Sequence, residues 1–459
     1  MRPKLVLLAG VALIAAAVVV DGTSPVLPTE PHRVRVAARA GVLACPIAVP
    51  TTGRSFLHLA NVGDRDGQAR VAIVPDQGRS AVVPLKIPAR STLSLGLHGR
   101  VDGAAAVFIR YVGAIVASHT AWLSDGAFGG SCAPAGPRRQ VIAHGSTLNT
   151  ETTLAVANPG NADADVSISL LVGGRRVEPE TLRKFIVKAG RRRVFSMGDF
   201  AFDAGDVTTV VQADTGRVVA QALIRNAYGA TVMTAGPALT DAVSLVGLGD
   251  GPRAVSIGAI GEDEDAAVEA TLLEAGRQGA APGAPPALAP SDSVRLQVPR
   301  PSGRGPVAYA VHVTAGSPIA VGGSWRRGRG DRAGLEAIEP GTRWAGVLGL
   351  DPAGQVRALL ANTGEATITA RLTIITPDGA EEAEVTVGPG RTLAHPLGTG
   401  RGAFAVIVDS DAPVAVALDA IVGRAERLIA VPGVAMAEPG AVAVRQDPQA
   451  GVPGRRPGT

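Results

Sequence analysis

The sequence predicts an all-β protein: tandem immunoglobulin-like antiparallel β-sandwich repeats that follow one N-terminal transmembrane helix. Short segments of alternating apolar and polar residues recur along the chain, which is the period of a half-buried strand. With 58 Gly and 34 Pro among 459 residues, turns are frequent and long helices are not expected beyond the N-terminus. One strand–turn–strand pattern occurs four times, which indicates repeated domains.

The N-terminus has the features of an export signal. Residues 5–20 form an unbroken apolar run, preceded by Arg2 and Lys4 and ended by Asp21. The run lies between the about 7–15 apolar residues of a signal-peptide core and the about 20 of a spanning helix. No Ala-x-Ala site follows it, so residues 1–22 are predicted to be an uncleaved signal anchor and residues 23–43 a linker. This predicts a single-pass cell-membrane protein with most of the chain extracytoplasmic; the alternative is secretion after cleavage.

Four corners mark the repeats. Each is a polar, Gly-containing turn between two alternating strands, as in "LAVANPGNADADVSISLLV" from Leu154. The residue that starts the turn is Asn61, Asn158, Ile260 or Asn362, at spacings of 97, 102 and 102 residues. Because Asn and Asp side chains bond nearby backbone in turns, these asparagines are predicted to be turn residues rather than ligands.

Each unit of roughly 100 residues contains six or seven short strands, the size and strand density of a β-sandwich. A propeller blade is about 40–50 residues, so a β-propeller-like arrangement with two blades per unit is the alternative. The third copy diverges most, with Ile260 at the corner and a Pro/Ala/Gly-rich insertion from Gly279 to Asp292. The predicted boundaries are 44–134, 135–240, 241–335 and 336–435 for repeats 1–4, and 436–459 for a disordered tail.

The two cysteines, Cys45 and Cys132, flank the first repeat. An even pair in an exported chain predicts one disulfide, and neither cysteine has a His at zinc-ligand spacing. The bond is expected to staple the two ends of repeat 1, with a contribution of about 4 kcal/mol by chain entropy.

The sequence contains no pattern typical of catalysis or of a bound cofactor or metal. His58, His98 and His119 fall in one repeat but lack an acidic partner at fixed offset, and no nucleophile motif occurs. The acidic turns, such as Asp64-x-Asp66, lack the closing Glu of a calcium loop. The 44 Lys and Arg nearly balance 40 Asp and Glu, and aromatics are 3%, which argues against nucleic-acid binding.

Three tryptophans are the speculative ligand-binding residues. Trp122 and Trp325 end the last predicted strand of repeats 1 and 3, and Trp344 opens repeat 4. If exposed, their rings could stack on sugars; in a chain with so few aromatics, burial at the ends of the sandwiches is the favoured interpretation.

The segments Cys132-Ala133-Pro134, Leu154–Leu170 and the closing "VVAQALI" resemble a family of actinobacterial exported proteins. That family is anchored by one N-terminal helix and is known only as a domain of unknown function. The resemblance covers most of the exported region and implies no activity and no catalytic residue.

The function predicted from these observations is non-enzymatic. The chain is expected to be a membrane-anchored envelope scaffold or protein-interaction module that binds the membrane through its N-terminal helix. The alternative is a cell-wall glycan-binding protein that uses Trp122, Trp325 or Trp344, and the third hypothesis is a hydrolase of unrecognised type. Solvent exposure of the three rings separates the first two hypotheses.

Overall fold

The structure is a computed structural model that describes residues 39–436 with short internal gaps. The gaps are 125, 146, 148, 203, 228, 246–252, 262–264, 276–277, 282, 299–307, 327–331 and 423–426. The predicted anchor (1–22), most of the linker and nearly all of the predicted tail lie outside the described residues. The chain from Val36 onward forms one compact unit. Among the residues that the structure describes, no helix has the length and apolar composition needed to cross a membrane.

The described chain is all-β, with every named strand pair antiparallel and only two short 3-10 turns. Repeat 1 contains β1 (Arg39–Val49), β2 (Arg54–Asn61), β3 (Gly67–Pro75), β4 (Ala81–Ile87), β5 (Ser91–Gly96), β6 (Ala105–Gly113), β7 (Ile115–Trp122), β8 (Ala127–Ser131) and β9 (Ala133–Pro134). Its first sheet has the order β4-β3-β6-β1-β9, and its second sheet has the order β5-β2-β7-β8.

Repeat 2 has the same strand order. It contains β10 (Arg139–Gly145), β11 (Glu151–Ala157), β12 (Ala164–Val172), β13 (Arg175–Val177), β14 (Phe185–Val187), β15 (Arg192–Ser196), β16 (Val207–Ala213), β17 (Val219–Asn226) and β18 (Gly229–Thr234), with 3-10 turns at Glu180–Leu182 and Met197–Asp199. Its first sheet is β10-β16-β12 with β13 and β14 at the edge, and its second sheet is β15-β11-β17-β18.

Repeats 3 and 4 keep this pairing but merge some strands into long bent ones. Repeat 3 contains β19 (Leu239–Leu245), β20 (Arg253–Ala259), β21 (Ala266–Glu274), β22 (Gln278–Ala280), β23 (Ala287–Leu288), β24 (Ser293–Val298), β25 (Tyr309–Arg326) and β26 (Arg332–Glu336). Repeat 4 contains β27 (Gly341–Asn362), β28 (Ile368–Thr376), β29 (Gly379–Val387), β30 (Arg391–Val422), β31 (Arg427–Pro432) and β32 (Val434–Ala435). One arm of β25, β27 and β30 belongs to the first sheet and another to the second.

Each repeat has a hydrophobic core to which both of its sheets contribute. In repeat 1, Val71 and Ile109 of the first sheet and Leu57 and Leu59 of the second are fully buried in one cluster. The intervening residue Arg70 is exposed, as strand alternation requires. Burying an aliphatic side chain of this size stabilises the fold by about 1.5–3 kcal/mol, so the alternating pattern fixes which face points inward.

Neighbouring repeats pack in one recurring manner, with the first sheet of one repeat against the second sheet of the next. Apolar side chains of both sheets form each contact. They are Ala44, Phe108, Ala157 and Val219 between repeats 1 and 2; Val141, Val210, Ile260 and Ala320 between repeats 2 and 3; and Ala310, Leu359, Ala361 and Ala417 between repeats 3 and 4.

Repeat 4 packs against repeat 1 in the same manner, which gives a fourth contact between repeats. Ala345 and Val347 of its first sheet pack against Ala60 and Val116 of the second sheet of repeat 1. The hydroxyl of Thr92 donates to the carbonyl of Ala403 at 2.9 Å across this contact. Thr392 makes the corresponding bond between repeats 4 and 3, to the carbonyl of Ala308 at 2.7 Å. The four repeats therefore close into a ring.

The last strand of each second sheet lies at the centre of the ring. β8 contacts β18, β18 contacts β26, β26 contacts β31, and β31 contacts β8. Glycines allow these close approaches: a Cβ on Gly130 would lie 2.8 Å from Val232, and a Cβ on Gly129 would lie 2.4 Å from Ile429. Closure around an axis and two sheets per repeat both agree with the propeller-like alternative of two blades per unit, although among the described residues only the second sheet of each repeat contributes to this central ring of contacts.

Candidate functional site

The two cysteines form a disulfide inside repeat 1. Cys45 of β1 and Cys132, which follows β8, have Cα atoms 4.6 Å apart, so the predicted disulfide is confirmed. A nitrogen of His119 and the two sulfurs lie within 4.8 Å of one another. Each sulfur is bonded to the other, so this cluster offers only the imidazole as a metal ligand.

His119 is neutral in this position. Its side chain is fully buried, and neither ring nitrogen has a hydrogen-bond partner within the described part of the chain. The ring meets the Phe128 ring edge to face, with centroids 6.3 Å apart. Burial lowers the pKa of His119 to about 3, because the charged imidazolium would lose its hydration.

His58 has a structural role at the contact between repeats 1 and 4. One ring nitrogen lies 2.9 Å from the hydroxyl of Ser94 and the other 2.8 Å from that of Thr120. Burial, with a smaller effect from His119, lowers the pKa of His58 to about 3. The third histidine of this repeat, His98, packs edge to face on Phe56. None of the three has a carboxylate partner within the described residues, so the geometry resembles no acid–base pair.

The corner asparagines bond nearby backbone, which confirms the prediction for Asn158. Its Nδ2 donates to the carbonyls of Ala162 and Val187, and its Oδ1 accepts the N–H of Gly160 at 2.9 Å. Asn61 and Asn362 make the same set of bonds. Each asparagine thus ties its turn to the last residue of another strand of the same repeat: β4, β14 or β29.

The third corner is held by a different contact. Ile260 is 4% exposed and packs with Val141 and Ala320 at the contact between repeats 2 and 3. Its carbonyl accepts a hydrogen bond from Arg139 of repeat 2 at 3.0 Å. An apolar side chain buried between repeats therefore replaces the asparagine network at this corner.

The carboxylates of the acidic turns are used in local structure. Asp64 pairs with Arg90 at 2.8 Å, and Asp66 and Asp163 accept backbone N–H groups from Ala89 and Ala189. These bonds occupy oxygens that a calcium ion would need.

Two of the three tryptophans that were speculative glycan-stacking residues are buried. Trp122 is 4% exposed and Trp344 is 2% exposed, and both belong to the core of repeat 4. The indole N–H of Trp344 is shared by the carbonyls of Gly341 and Val414. Neither ring presents a face to solvent in this fold. The side chain of Trp325 lies outside the described residues.

Polar side chains are buried at the contacts between repeats. Gln221 of repeat 2 accepts the N–H of Ile47 and donates to the carbonyl of Ser131, both in repeat 1. Glu336 of repeat 3 accepts the N–H of Thr234 in repeat 2, and burial raises the pKa of its carboxyl to about 7. The side chains of Gln221 and Glu336 therefore bond the backbone of a neighbouring repeat.

A surface groove crosses the first sheet of repeat 1, on the part of its outer face that repeat 2 does not cover. Its cavity is about 830 Å³ and is lined by residues of β1, β3, β4 and β6 together with Asn161 of repeat 2. An adjoining cavity of about 310 Å³ extends to Pro159 and Gly190, at the corner of repeat 2. Arg70 and Arg110 line both cavities.

The groove is basic and partly apolar. Arg70 and Arg110 lie directly opposite each other on β3 and β6, and Lys86 lies on the neighbouring β4. No carboxylate lines either cavity, and none of these three cations has an ion pair within the described residues. Val82 and Val112 are 46% and 55% exposed beside them. This groove is the candidate functional site.

Arg70, Lys86 and Arg110 are not among the residues that the sequence predicts to be functional. Arg70 follows the corner asparagine by nine residues, on the face of the strand that points away from the core. That offset was a usable signal, but the opposition of Arg70 and Arg110 depends on the register between β3 and β6, which sequence spacing alone does not give.

Comparisons with known proteins identify no activity. The sequence model of DUF5719, a family of unknown function, matches residues 114–295. The match begins at the turn between β6 and β7 and ends within β24, and it covers less than half of the chain. It supports similarity to an uncharacterised family; actinobacterial origin, export and membrane anchoring stay predictions.

No curated protein matches the chain. Among solved structures, the chain was compared with a tetra-tandem repeat from the extending region of a large adhesion protein. The identity is 12%, the alignment covers 87% of this chain and 100% of that chain, and the TM-score is 0.09. A TM-score this low carries no structural argument.

Proposed function

We propose that the protein is a non-enzymatic scaffold of the cell envelope, anchored by its N-terminal segment and acting through protein–protein contact. The repeats are proposed to be immunoglobulin-like sandwiches exported beyond the membrane. The disulfide supports export, because such bonds persist in oxidising compartments. The apolar run of residues 5–20, with Arg2 and Lys4 before it, supports anchoring.

The observation that carries the scaffold proposal is the use of buried polar groups between repeats. Gln221 and Glu336 bond backbone groups of a neighbouring repeat, and His58 is buried against Gly349 of repeat 4. The pair of Arg357 and Asp419, 2.8 Å apart, is buried on the face of repeat 4 that meets repeat 3. Such contacts fix one arrangement of the repeats, which is what a rigid platform requires. No cofactor is proposed, and nucleic acid is not a proposed partner.

The glycan-binding alternative has less support than the scaffold. Burial of Trp122 and Trp344 removes two of the three stacking platforms that it needs. An enzymatic role would need a base that a substrate can reach, whereas His58 contacts two hydroxyl groups but is 1% exposed and has no carboxylate partner within the described residues.

The experiment that tests location and role uses the full-length chain in its own cells. Phe202 is 87% exposed, so Phe202→Cys offers a thiol to a maleimide that does not cross membranes. We expect labelling of intact cells and recovery of the protein with the membrane after a carbonate wash. Labelling only after permeabilisation would refute export, and release by carbonate would refute anchoring.

The scaffold role is tested by photo-crosslinking. A photoreactive residue at Val112, in the groove, should give a discrete adduct with another protein in cells. The same residue at Phe202, the matched exposed control, should not give that adduct. Equal, diffuse crosslinking at both positions would count against a specific interaction surface.

A further inference from the structure

The groove of repeat 1 has a charge that the corresponding surface of the other repeats lacks. The residue nine positions after each corner lies opposite a residue on the neighbouring strand of the first sheet. This cross-strand pair is Arg70–Arg110 in repeat 1, Ser167–Gln212 in repeat 2, Glu269–Thr314 in repeat 3 and Arg371–Asp409 in repeat 4. Among these four pairs, only that of repeat 1 consists of two cations.

Repeat 4 shows how the same position is neutralised. Arg371 lies between Asp409 on β30 and Glu384 on β29, and Asp409 also pairs with Arg343 at 3.0 Å. In repeat 1, the position of Asp409 is taken by Arg110, and that of Glu384 by Pro84. The surface of repeat 1 therefore has the cation without either carboxylate.

Two arginines directly opposite each other on neighbouring strands destabilise a sheet. Their backbones are about 4.5–5.5 Å apart, so the guanidinium groups share one small region of surface. A bound anion would remove this repulsion and would accept hydrogen bonds from both guanidinium groups at once. Planar guanidinium groups bind carboxylates in this paired manner.

The surroundings of the arginine pair favour an acidic polypeptide over a simple anion. Val82 and Val112 are among the few large apolar side chains that are substantially exposed in the described residues, and both flank the pair. Lys86 lies next to Pro84 along the edge of the same groove. The groove thus offers cationic and apolar positions side by side, which complements a segment that alternates acidic and apolar residues.

We propose that this groove binds an extended acidic segment of a partner protein. Carboxylates of the segment contact Arg70, Arg110 and Lys86, and its apolar side chains cover Val82 and Val112. The inference rests on the proposed scaffold function, because it names the kind of partner that the scaffold holds. It adds a site and a chemistry that the scaffold proposal alone does not contain.

The test measures binding of defined probes to the full-length protein in nonionic detergent. The main probe is a fluorescent peptide of alternating Glu and Val; the others are a Glu/Gly peptide of equal charge, short-chain phosphatidylglycerol and inorganic polyphosphate. We expect the Glu/Val peptide to bind, the Glu/Gly peptide to bind several-fold more weakly, and added salt to weaken both. The double variant R70Q/R110Q should lose about tenfold or more in affinity for the Glu/Val peptide.

The matched control is R371Q, which removes the cation at the corresponding position of repeat 4 and should leave peptide affinity unchanged. R70Q/R110Q removes a repulsion, so it should be at least as stable to urea as the wild type. Failure of the Glu/Val peptide to bind, equal binding by R70Q/R110Q, or tighter binding of either phosphate probe would each overturn the proposal. Such a result with normal urea stability and membrane retention would count against the groove and leave the scaffold proposal standing.

Discussion

Substitution of Gly349 by alanine is the sharpest perturbation of ring closure. Gly349 lies on β27 in repeat 4, and a Cβ placed there would be 1.9 Å from Nδ1 of His58 in repeat 1. The imidazole is 1% exposed and bonded on both sides by the hydroxyls of Ser94 and Thr120. The histidine cannot move without giving up these bonds, so the added methyl group has no room.

The magnitude follows from two contributions. Overpacking of a well-filled contact costs about 1–3 kcal/mol. Loss of the two hydrogen bonds of His58 costs roughly 1 kcal/mol each. We therefore expect Gly349→Ala to lower the free energy of unfolding by about 3–5 kcal/mol, measured by urea denaturation. The control is Gly279→Ala, at a glycine with no neighbouring atom within 4 Å, which should change stability by less than about 0.5 kcal/mol or raise it slightly.

A double-mutant cycle distinguishes a clash between repeats 4 and 1 from a loss of stability that arises within repeat 4 alone. His58→Ala creates the space that the added methyl group needs, so the double variant H58A/G349A should be no less stable than H58A alone. The two residues are far apart in sequence, so a coupling equal to the full Gly349→Ala loss, about 3–5 kcal/mol, would arise from their contact in the ring. Additive losses, or a G349A variant as stable as the control, would refute the packing of repeat 4 on repeat 1.

Three further predictions concern repeats 1 and 2. Asn158→Asp replaces the Nδ2 donor with an oxygen that faces the carbonyls of Ala162 and Val187, so urea denaturation should show a loss of about 2–4 kcal/mol; an unchanged midpoint would contradict the corner network. The double variant C45A/C132A should lose about 4 kcal/mol, and the wild type should lose a similar amount when reduced. His119 is neutral in the fold, with a pKa near 3, but takes up a proton near pH 6.5 when unfolded; its contribution is complete above pH 6.5 and is lost as the pH falls towards 3. His119→Phe should therefore reduce the dependence of unfolding free energy on pH between 7.5 and 4.5, and an unaltered slope would exclude His119 as its source.

Local features of the molecule could be predicted from the sequence, because short-range chemistry determines them. The corner role of Asn158 follows from the bonding of Asn side chains to backbone two to four residues away. The pairing of Cys45 with Cys132 follows from an even count of cysteines behind a predicted export signal. The all-β class follows from alternation and turn residues, and the strand pairing repeats in all four units.

Ring closure could not be predicted in this way. It depends on long-range contacts such as Gly349 against His58 and Thr92 with Ala403, which have no local pattern in the sequence. The sequence shows that Ile260 takes the place of the asparagine at the third corner, but the contact that compensates for it lies in another repeat, at Val141. The basic groove could not be predicted either. The register between β3 and β6 places Arg70 opposite Arg110, and the packing of repeat 2 on repeat 1 determines how much of that sheet stays exposed.

Crosslinking between repeats 1 and 4 tests the closed ring most directly. Arg54 of repeat 1 and Asp351 of repeat 4 form an exposed ion pair at 3.2 Å. In the full-length double variant R54C/D351C, a short bis-maleimide should join the two thiols within one chain, independently of protein concentration. The extent should match that of R90C/D64C, which replaces an ion pair within repeat 1. Efficient crosslinking of R90C/D64C without any in R54C/D351C would show that the four repeats form an open array.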